Sequence, residues 1–197
     1  MWKLPTARCS VERSRRKVQL ERLLCLRHGF EGQLYAKRGK LALAERLLRF
    51  CLESLRQGRS ENALHAFLTD LAEVLAKADR FGESLGAASE ALQRAERNDA
   101  FWWMPEALRI TGESLMQSNP SDLESIEDCF TRSLDCARRQ GALSWELRTA
   151  ASLALLWNQR GRPADAEALL GPIYARFTEG FGTADLRTAR TLLGGLA

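Results

Sequence analysis

One short motif in the sequence has the residue types of a catalytic site. Residues 82–86 read Gly-Glu-Ser-Leu-Gly, which matches the G-x-S-x-G pattern around the nucleophilic serine of many hydrolases. That motif works where a strand ends and a helix begins, because the sharp turn exposes the serine hydroxyl. Here apolar residues at helical spacing lie on both sides of Ser84. We therefore expect a structural role for Ser84 and a protein that is not an enzyme.

The other reactive side chains form no recognisable site. His28 and His65 lie outside any metal-binding motif, and we expect both on helix faces. The five cysteines include no Cys-x-x-Cys pair, which favours a reducing, cytoplasmic compartment. Since the sequence also lacks a G-x-x-x-x-G-K-[ST] loop, we expect no ATP binding and no cofactor or metal. The sequence shows neither a signal peptide nor an apolar run that could cross a bilayer, so we expect no membrane association.

Positive charge is concentrated at the start of the chain. Residues 1–40 contain 11 Lys or Arg and 3 Asp or Glu, although the whole chain has a net charge of only +4. Such a run could contact nucleic acid or an acidic partner, or it could be a solvated leader. No aromatic residues interleave with the charges, as single-strand binding would require. We interpret residues 1–22 as a basic leader or partial helix and expect no specific nucleic-acid binding.

The strongest signal in the sequence is an internal repeat. Residues that stop helices recur about every forty positions in two interleaved series, which is the pattern of stacked helix–turn–helix units. The first series is Gly39, Asp79, Asn119 and Gly161, and the second is Gly58, Asn98, Gly141 and Gly180.

Each unit also contains a small residue followed three positions later by a large apolar one. The small residue lets a second helix approach closely, and the large one fills the adjoining space. The small residues are Gly32, Ala72, Gly112 and Ala154, and the large ones are Tyr35, Leu75, Leu115 and Trp157.

These patterns predict an all-α domain over residues 23–197. A helix pair cannot bury its own apolar face, so the pairs must stack. We expect a right-handed superhelix of four pairs, similar to tetratricopeptide repeats but with longer units, closed by a short C-terminal helix. The predicted pairs are 24–38 with 41–57, 61–78 with 81–97, 103–117 with 121–140, and 142–160 with 163–178, and the closing helix is 184–194.

Two stretches of the second half are more distinctive than the general repeat. Residues 138–149 read RRQGALSWELRT and residues 174–186 read YARFTEGFGTADL. They resemble the C-terminal helical-repeat region of large bacterial signalling ATPases. In that family a winged-helix or nucleotide-cyclase domain and a P-loop ATPase module precede the repeats. The resemblance extends over residues 24–194 and weakens toward the N-terminus. It implies a sensing or interaction arm that lacks the ATPase and effector domains.

The small residues also predict which side chains face the concave groove. In such a stack the groove-facing positions lie three residues before, one after and five after each small residue. These positions mix Lys, Arg, Glu and Gln with little bulk, as a solvated peptide groove would, although simple exposed helix faces have the same composition. The selected residues are Gln33, Lys37, Thr69, Glu73, Lys77, Arg109, Glu113, Gln117, Ala151, Leu155 and Gln159.

Two functions are compatible with this sequence. The first is a scaffold that binds a protein or peptide, with an ATPase or winged-helix regulator as the partner that the resemblance implies. The second is a sensor module whose groove closes on a small ligand.

Overall fold

The chain folds into a stack of helices joined by short turns. The computed structural model describes residues 23–57, 63–97 and 101–196, and within these ranges it contains no strand. A 3-10 turn, Phe101–Trp103, precedes the fifth helix. The helices are α1 (23–37), α2 (Leu41–Gln57), α3 (Leu64–Lys77), α4 (Phe81–Arg97), α5 (Met104–Ser118), α6 (Leu123–Gln140), α7 (Leu143–Gln159), α8 (Pro163–Tyr174) and α9 (Ala184–Leu196).

The prediction of an all-α stack of four helix pairs with a short C-terminal helix is confirmed. Its right-handed sense stays a prediction, and the basic leader 1–22 lies outside the described residues. The largest error in the bounds concerns α8, which ends at Tyr174 and not at 178. After Tyr174 the backbone hydrogen bonds span three residues instead of four, which is the 3-10 pattern. The Phe177 N–H, for example, donates to the Tyr174 carbonyl at 3.1 Å.

Three of the four turns within the pairs share one geometry, and the turn at Asn119 does not. Gly39, Asp79 and Gly161 all adopt a left-handed backbone with positive φ. In each turn the next residue donates its N–H to a carbonyl five residues earlier at 2.9 Å, as Lys40 does to Tyr35. This is the Schellman arrangement, which satisfies the free carbonyls at the end of a helix. Because glycine reaches positive φ without strain, the helix stops in the sequence marked these turns correctly.

The helices form two layers of different spacing. Each helix from α2 to α8 packs on the next one in sequence. The first helices of the pairs also contact one another, α3 with α5 and α5 with α7, whereas no comparable contact joins α4 to α6 or α6 to α8. The layer α3, α5, α7 is therefore the concave side of the stack. α9 packs on both α7 and α8, so it continues this layer.

Glycines on the first helices allow close packing within a pair. A Cβ added at Gly112 would lie 2.7 Å from Cε1 of Phe130, and one at Gly32 would lie 2.8 Å from Cγ of Leu48. Both distances are too short for real atoms. The predicted role of the small residues in bringing the paired helix close is confirmed at these two positions.

We expect the Gly112→Ala variant to be less stable than the wild type by about 1–3 kcal/mol, because the added methyl group forces Phe130 out of place. Gly86 on α4 is the matched control, since it is exposed and a Cβ there meets nothing within 4 Å. Gly86→Ala should stabilise the protein by about 0.5–1 kcal/mol through helix propensity alone. Urea unfolding followed by circular dichroism measures both. Equal effects at the two positions would contradict the close contact.

Candidate functional site: a cleft on the concave face

A cleft of about 850 Å³ lies on the concave side, bounded by α3, α5, α7 and α9 and by the start of α4. Since each pair folds back on itself, α3, α5 and α7 run in the same direction. Arg109, Arg148 and Asp185 come from the first halves of their helices, and together with their ion-pair partners Glu113 and Glu73 they form the charged end of the cleft. Met116, Leu155 and Leu192 come from the second halves of their helices, and together with Phe81 they form the apolar end, which Lys77 and Gln117 border.

Arg109 is the centre of the charged end, although it is only 5% exposed. Its guanidinium makes a two-bond contact with Glu106, in which Nε donates to Oε2 at 2.9 Å and Nη2 to Oε1 at 2.7 Å. A second ion pair joins its Nη1 to Glu113. Burial lowers the pKa of Arg109, but the adjacent Glu106 and Glu113 outweigh burial and raise it. The charge of Arg109 is therefore permanent and fully compensated.

Arg148 connects the concave helices to one another. From α7 it reaches Glu106 on α5 at 2.6 Å, Glu73 on α3 at 3.1 Å, and Asp185 on α9 at 3.8 Å. Burial opposes the ionisation of Glu73, but Lys77, Arg148 and Arg109 together hold its pKa below the ordinary value. Positive and negative groups at this end thus pair with each other, and the cleft offers polar contacts without a large net charge.

A carboxyl group beside the cleft has a raised pKa, in contrast to the lowered pKa of Glu73. Asp70 on α3 accepts a hydrogen bond from Nε2 of Gln33 on α1 at 2.6 Å. Burial, together with the nearby Glu73 and Glu106, raises the pKa of Asp70 to about 7. The folded protein therefore holds a proton at Asp70 that the unfolded chain releases near pH 4.

The raised pKa predicts a loss of stability as the pH rises. The contribution of protonated Asp70 to the free energy of unfolding is complete below about pH 4. It disappears as the pH rises through about 7, because an ionised carboxylate is costly to bury. Asp70→Asn should leave stability unchanged at pH 4 and increase the free energy of unfolding at pH 8 by about 2 kcal/mol. Urea titrations at both pH values measure this. Glu73→Gln is the control of opposite sign and should destabilise the protein at pH 8, and a pH-independent effect of Asp70→Asn would refute the assignment.

The cleft contains seven of the eleven residues that the sequence selected. Glu73 and Lys77 come from α3, and Ala151 and Leu155 from α7. The four others lie elsewhere: Gln33 binds Asp70, Lys37 and Gln159 are exposed near helix ends, and Thr69 is buried. The three cleft residues from α5 are Arg109, Glu113 and Gln117.

The expectation that the whole set is solvated is wrong for two residues. Thr69 is 1% exposed, and its hydroxyl donates to the His65 carbonyl at 2.9 Å, one helical turn back. Its burial follows from the position of α3 inside the stack, since ten of the fourteen residues of this helix are buried. Arg109 is buried because Glu106 and Glu113, three residues before and four after it, enclose its charge.

Two residues of the charged network were not in the predicted set: Arg148, which lines the cleft, and Glu106, which lies outside the lining and pairs with Arg109 and Arg148. Arg148 and Glu106 both lie six residues before a small residue, at Ala154 and Gly112, one turn earlier than the counting rule began. Extending the rule by one turn along the same helix face would have found them. The residues of α9 that line the cleft could not be predicted in this way. The counting rule starts from the small residue of a helix pair, and α9 does not belong to a pair.

The G-x-S-x-G serine has a structural environment. Ser84 lies inside α4, is 0% exposed, and donates to the Ala72 carbonyl at 2.8 Å. Its oxygen is 2.9 Å from the hydroxyl oxygen of Ser114, on the next first helix. The next pair repeats this contact, since Ser133 on α6 donates to a carbonyl of α5 and meets Thr149 on α7 at 2.8 Å. Both serines link neighbouring pairs.

The remaining reactive groups of the described ranges form no further site. Cys51 is buried, and burial together with the neighbouring Cys25 raises the pKa of its thiol to about 12, which disfavours the nucleophilic thiolate. No group of three His, Cys, Asp or Glu residues in these ranges could hold a metal ion. None of the helices described has both the length and the apolar character that crossing a bilayer requires.

Comparisons with known proteins address the fold. No family model and no curated protein matches the sequence. Among solved structures, the crystal structure of BtubC (BKLC) from P. vanneervenii is similar, with a TM-score of 0.69 over 98% of this chain and 84% of that chain. The two sequences are 18% identical. At this identity the likeness shows a shared helical stack and nothing about activity or partners.

Proposed function

We propose that this chain is a helical-repeat scaffold that binds a segment of a partner protein in the concave cleft, and that its units are long tetratricopeptide-like repeats. The observation that carries the proposal is the division of the cleft into an apolar and a charged end. A peptide segment commonly combines large apolar side chains, which supply affinity, with polar groups, which fix orientation.

The apolar end would receive the anchoring side chains of the partner. Leu155 is 42% exposed, although it is a leucine on the concave face, and it lies with Met116, Phe81 and Leu192 around the same space. Covering these side chains removes apolar surface from water, which is the main favourable term in such association. The charged end would add contacts through the partly exposed Glu113, Arg148 and Asp185.

The test changes the apolar end without disturbing the core. Peptides selected from a random phage-displayed library on the purified chain should contain at least one large apolar residue. Leu155→Glu places a charge beside the apolar end and should weaken the selected peptides by at least about tenfold, the equivalent of about 1.4 kcal/mol. Fluorescence anisotropy measures the affinities.

Phe181→Glu is the matched control, because Phe181 is 43% exposed and does not line the cleft. It should bind the peptides as the wild type does. Circular dichroism of both variants checks their helical content. If the library yields no binder, or if Leu155→Glu binds as tightly as Phe181→Glu, the cleft is not a peptide site.

A small-ligand sensor is the second candidate, and the cleft volume favours it. Pockets for small molecules usually measure about 300–1,000 Å³, and this cleft lies in that range. A thermal-shift screen with metabolites should then raise the melting temperature, and Leu155→Glu should abolish the increase. Such a result without any selected peptide would replace the scaffold proposal.

We further propose that the scaffold is the interaction arm of a bacterial signalling or transcriptional regulator. The support is the resemblance of residues 138–149 and 174–186 to the repeat region of signalling ATPases. These segments also contribute to the cleft, since Arg148 and Asp185 belong to them. A two-hybrid assay against P-loop ATPases and winged-helix regulators of the source organism tests the idea. An interaction that Leu155→Glu abolishes supports it, and no interaction with either class counts against it.

A further inference from the structure

The exposed apolar side chains of the described ranges are concentrated at the N-terminal end of the stack. Of the nine large ones, five lie on α1 and α2. On α1, Leu23 is 64% exposed, Phe30 60% and Leu34 46%, and on α2 Phe50 is 56% exposed. Single exposed apolar residues are ordinary, but a group on one face marks a surface that binds something.

The residues on α1 form a continuous stripe. Leu23, Arg27, Phe30, Leu34 and Lys37 follow one another at alternating steps of four and three, which places them on one face of the helix. We call this set the α1 stripe. The opposite face of α1 is buried in the stack through Cys25 and Gly32. The stripe therefore has the spacing with which one helix packs lengthwise on another.

The two ends of the stack differ in this respect. Terminal units of repeat proteins normally present a polar outer face to water. α9, the last helix of the described ranges, does so, with exposed Arg187 and Arg190 next to its buried Leu186 and Ala189. The α1 stripe instead presents three large apolar side chains. Within the described ranges, the first helix is thus built like an interior helix of the stack.

The charge around the α1 stripe determines what can cover it. Residues 23–40 contain Arg27, Lys37, Arg38 and Lys40 against Glu31, a net charge of +3. Residues 1–22, which join directly to the stripe in the sequence, contain seven Lys or Arg and two Glu, a net charge of +5. A second copy of the chain would bring the same positive charge and be repelled, whereas an acidic helix would be attracted.

We propose that the α1 stripe docks an acidic amphipathic helix of a partner protein. Leucine-like side chains of that helix pack between Leu23, Phe30 and Leu34, and its flanking carboxylates pair with Arg27 and Lys37. This surface lies outside the concave cleft, whose lining contains no residue of α1. The docking is therefore independent of the function proposed for the cleft.

The experiment uses two synthetic helical peptides with the full chain. Both have leucines at alternating steps of three and four, and the other positions are mainly Glu in one and mainly Lys in the other. The Glu peptide should bind at least about tenfold more tightly than the Lys peptide in fluorescence anisotropy. Its binding should weaken by about tenfold or more between about 50 and 300 mM NaCl, because salt screens the exposed charges.

Three variants locate the binding surface. Leu34→Asp should weaken the Glu peptide by at least about tenfold, whereas Phe181→Asp, at an equally exposed site, and Leu155→Glu, in the cleft, should bind it normally. Sedimentation analysis tests whether a second copy of the chain covers the α1 stripe instead. Failure of the Glu peptide to bind, equal binding of both peptides, or full binding by Leu34→Asp would each overturn the proposal. So would a dimer of the wild type that Leu34→Asp converts to a monomer, since a second copy would then cover the stripe.

Discussion

Arg109→Met is expected to lower the free energy of unfolding by about 3 kcal/mol. The substitution keeps the length of the side chain but removes the cation that compensates Glu106, which is 4% exposed. A buried carboxylate that loses its partner is far more costly than an exposed one, because water cannot replace the lost contact. Arg148 remains 2.6 Å from Glu106 and limits the loss. Urea unfolding at neutral pH gives the value.

Two further variants separate the effect of charge from that of packing. Arg132→Met removes an arginine that is 56% exposed and paired with the exposed Asp128, so its effect should stay within about 0.5 kcal/mol. Adding Glu106→Gln to Arg109→Met removes the buried carboxylate that has lost one of its two cations, and it should restore about half of the lost stability. If the double variant is less stable than Arg109→Met alone, the buried ion pair is not the reason for the loss.

Phe130→Ala is expected to cost about 3–5 kcal/mol. Phe130 is 0% exposed and lies in the core that joins the second half of the stack, where its ring contacts the site of Gly112 on the paired helix. Removing the ring leaves a cavity that two packed helices can close only in part. Thermal and urea unfolding should both show the loss, and Phe181→Ala, at a 43% exposed ring, should change stability by less than about 1 kcal/mol.

The contact between Phe130 and Gly112 also predicts a coupling. Gly112→Ala clashes with the ring in the wild type but should be tolerated once Phe130→Leu has removed the ring. The double variant should therefore be more stable than the sum of the two single changes predicts. Strict additivity would mean that the glycine and the ring do not share the same space.

The fold was predictable because its signals are local. Helix stops such as Gly39 and Gly161 report the left-handed turns directly, and the apolar period reports each buried face. The site was only partly predictable, since the counting rule describes one helix face at a time. It found Glu73 and Leu155 in the cleft, but the pairing of Gln33 with Asp70 depends on how α1 and α3 lie against each other. No pattern within a single helix contains that relation.

The burial of Arg109 is a second case in which a pattern within one helix does not predict contacts between helices. A position on the concave face of an isolated pair is solvated, and only neighbouring carboxylates on the same helix, with Glu73 on α3, make it an interior group. Glu106 and Glu113 lie three residues before and four residues after Arg109 in the sequence. Their ion pairs with Arg109 become buried only when the neighbouring helix pair packs against this helix.

The reach of Arg148 has a consequence for how the protein unfolds. In most repeat proteins each unit contacts only its neighbours, so the array behaves as a one-dimensional chain that can melt from its ends. Arg148 instead joins α7 to Glu73, a residue 75 positions away that belongs to the second pair, and to Asp185 on α9. These ion pairs across several units couple their melting, so the concave layer should unfold in one cooperative step. High ionic strength screens the ion pairs and should therefore reduce this cooperativity.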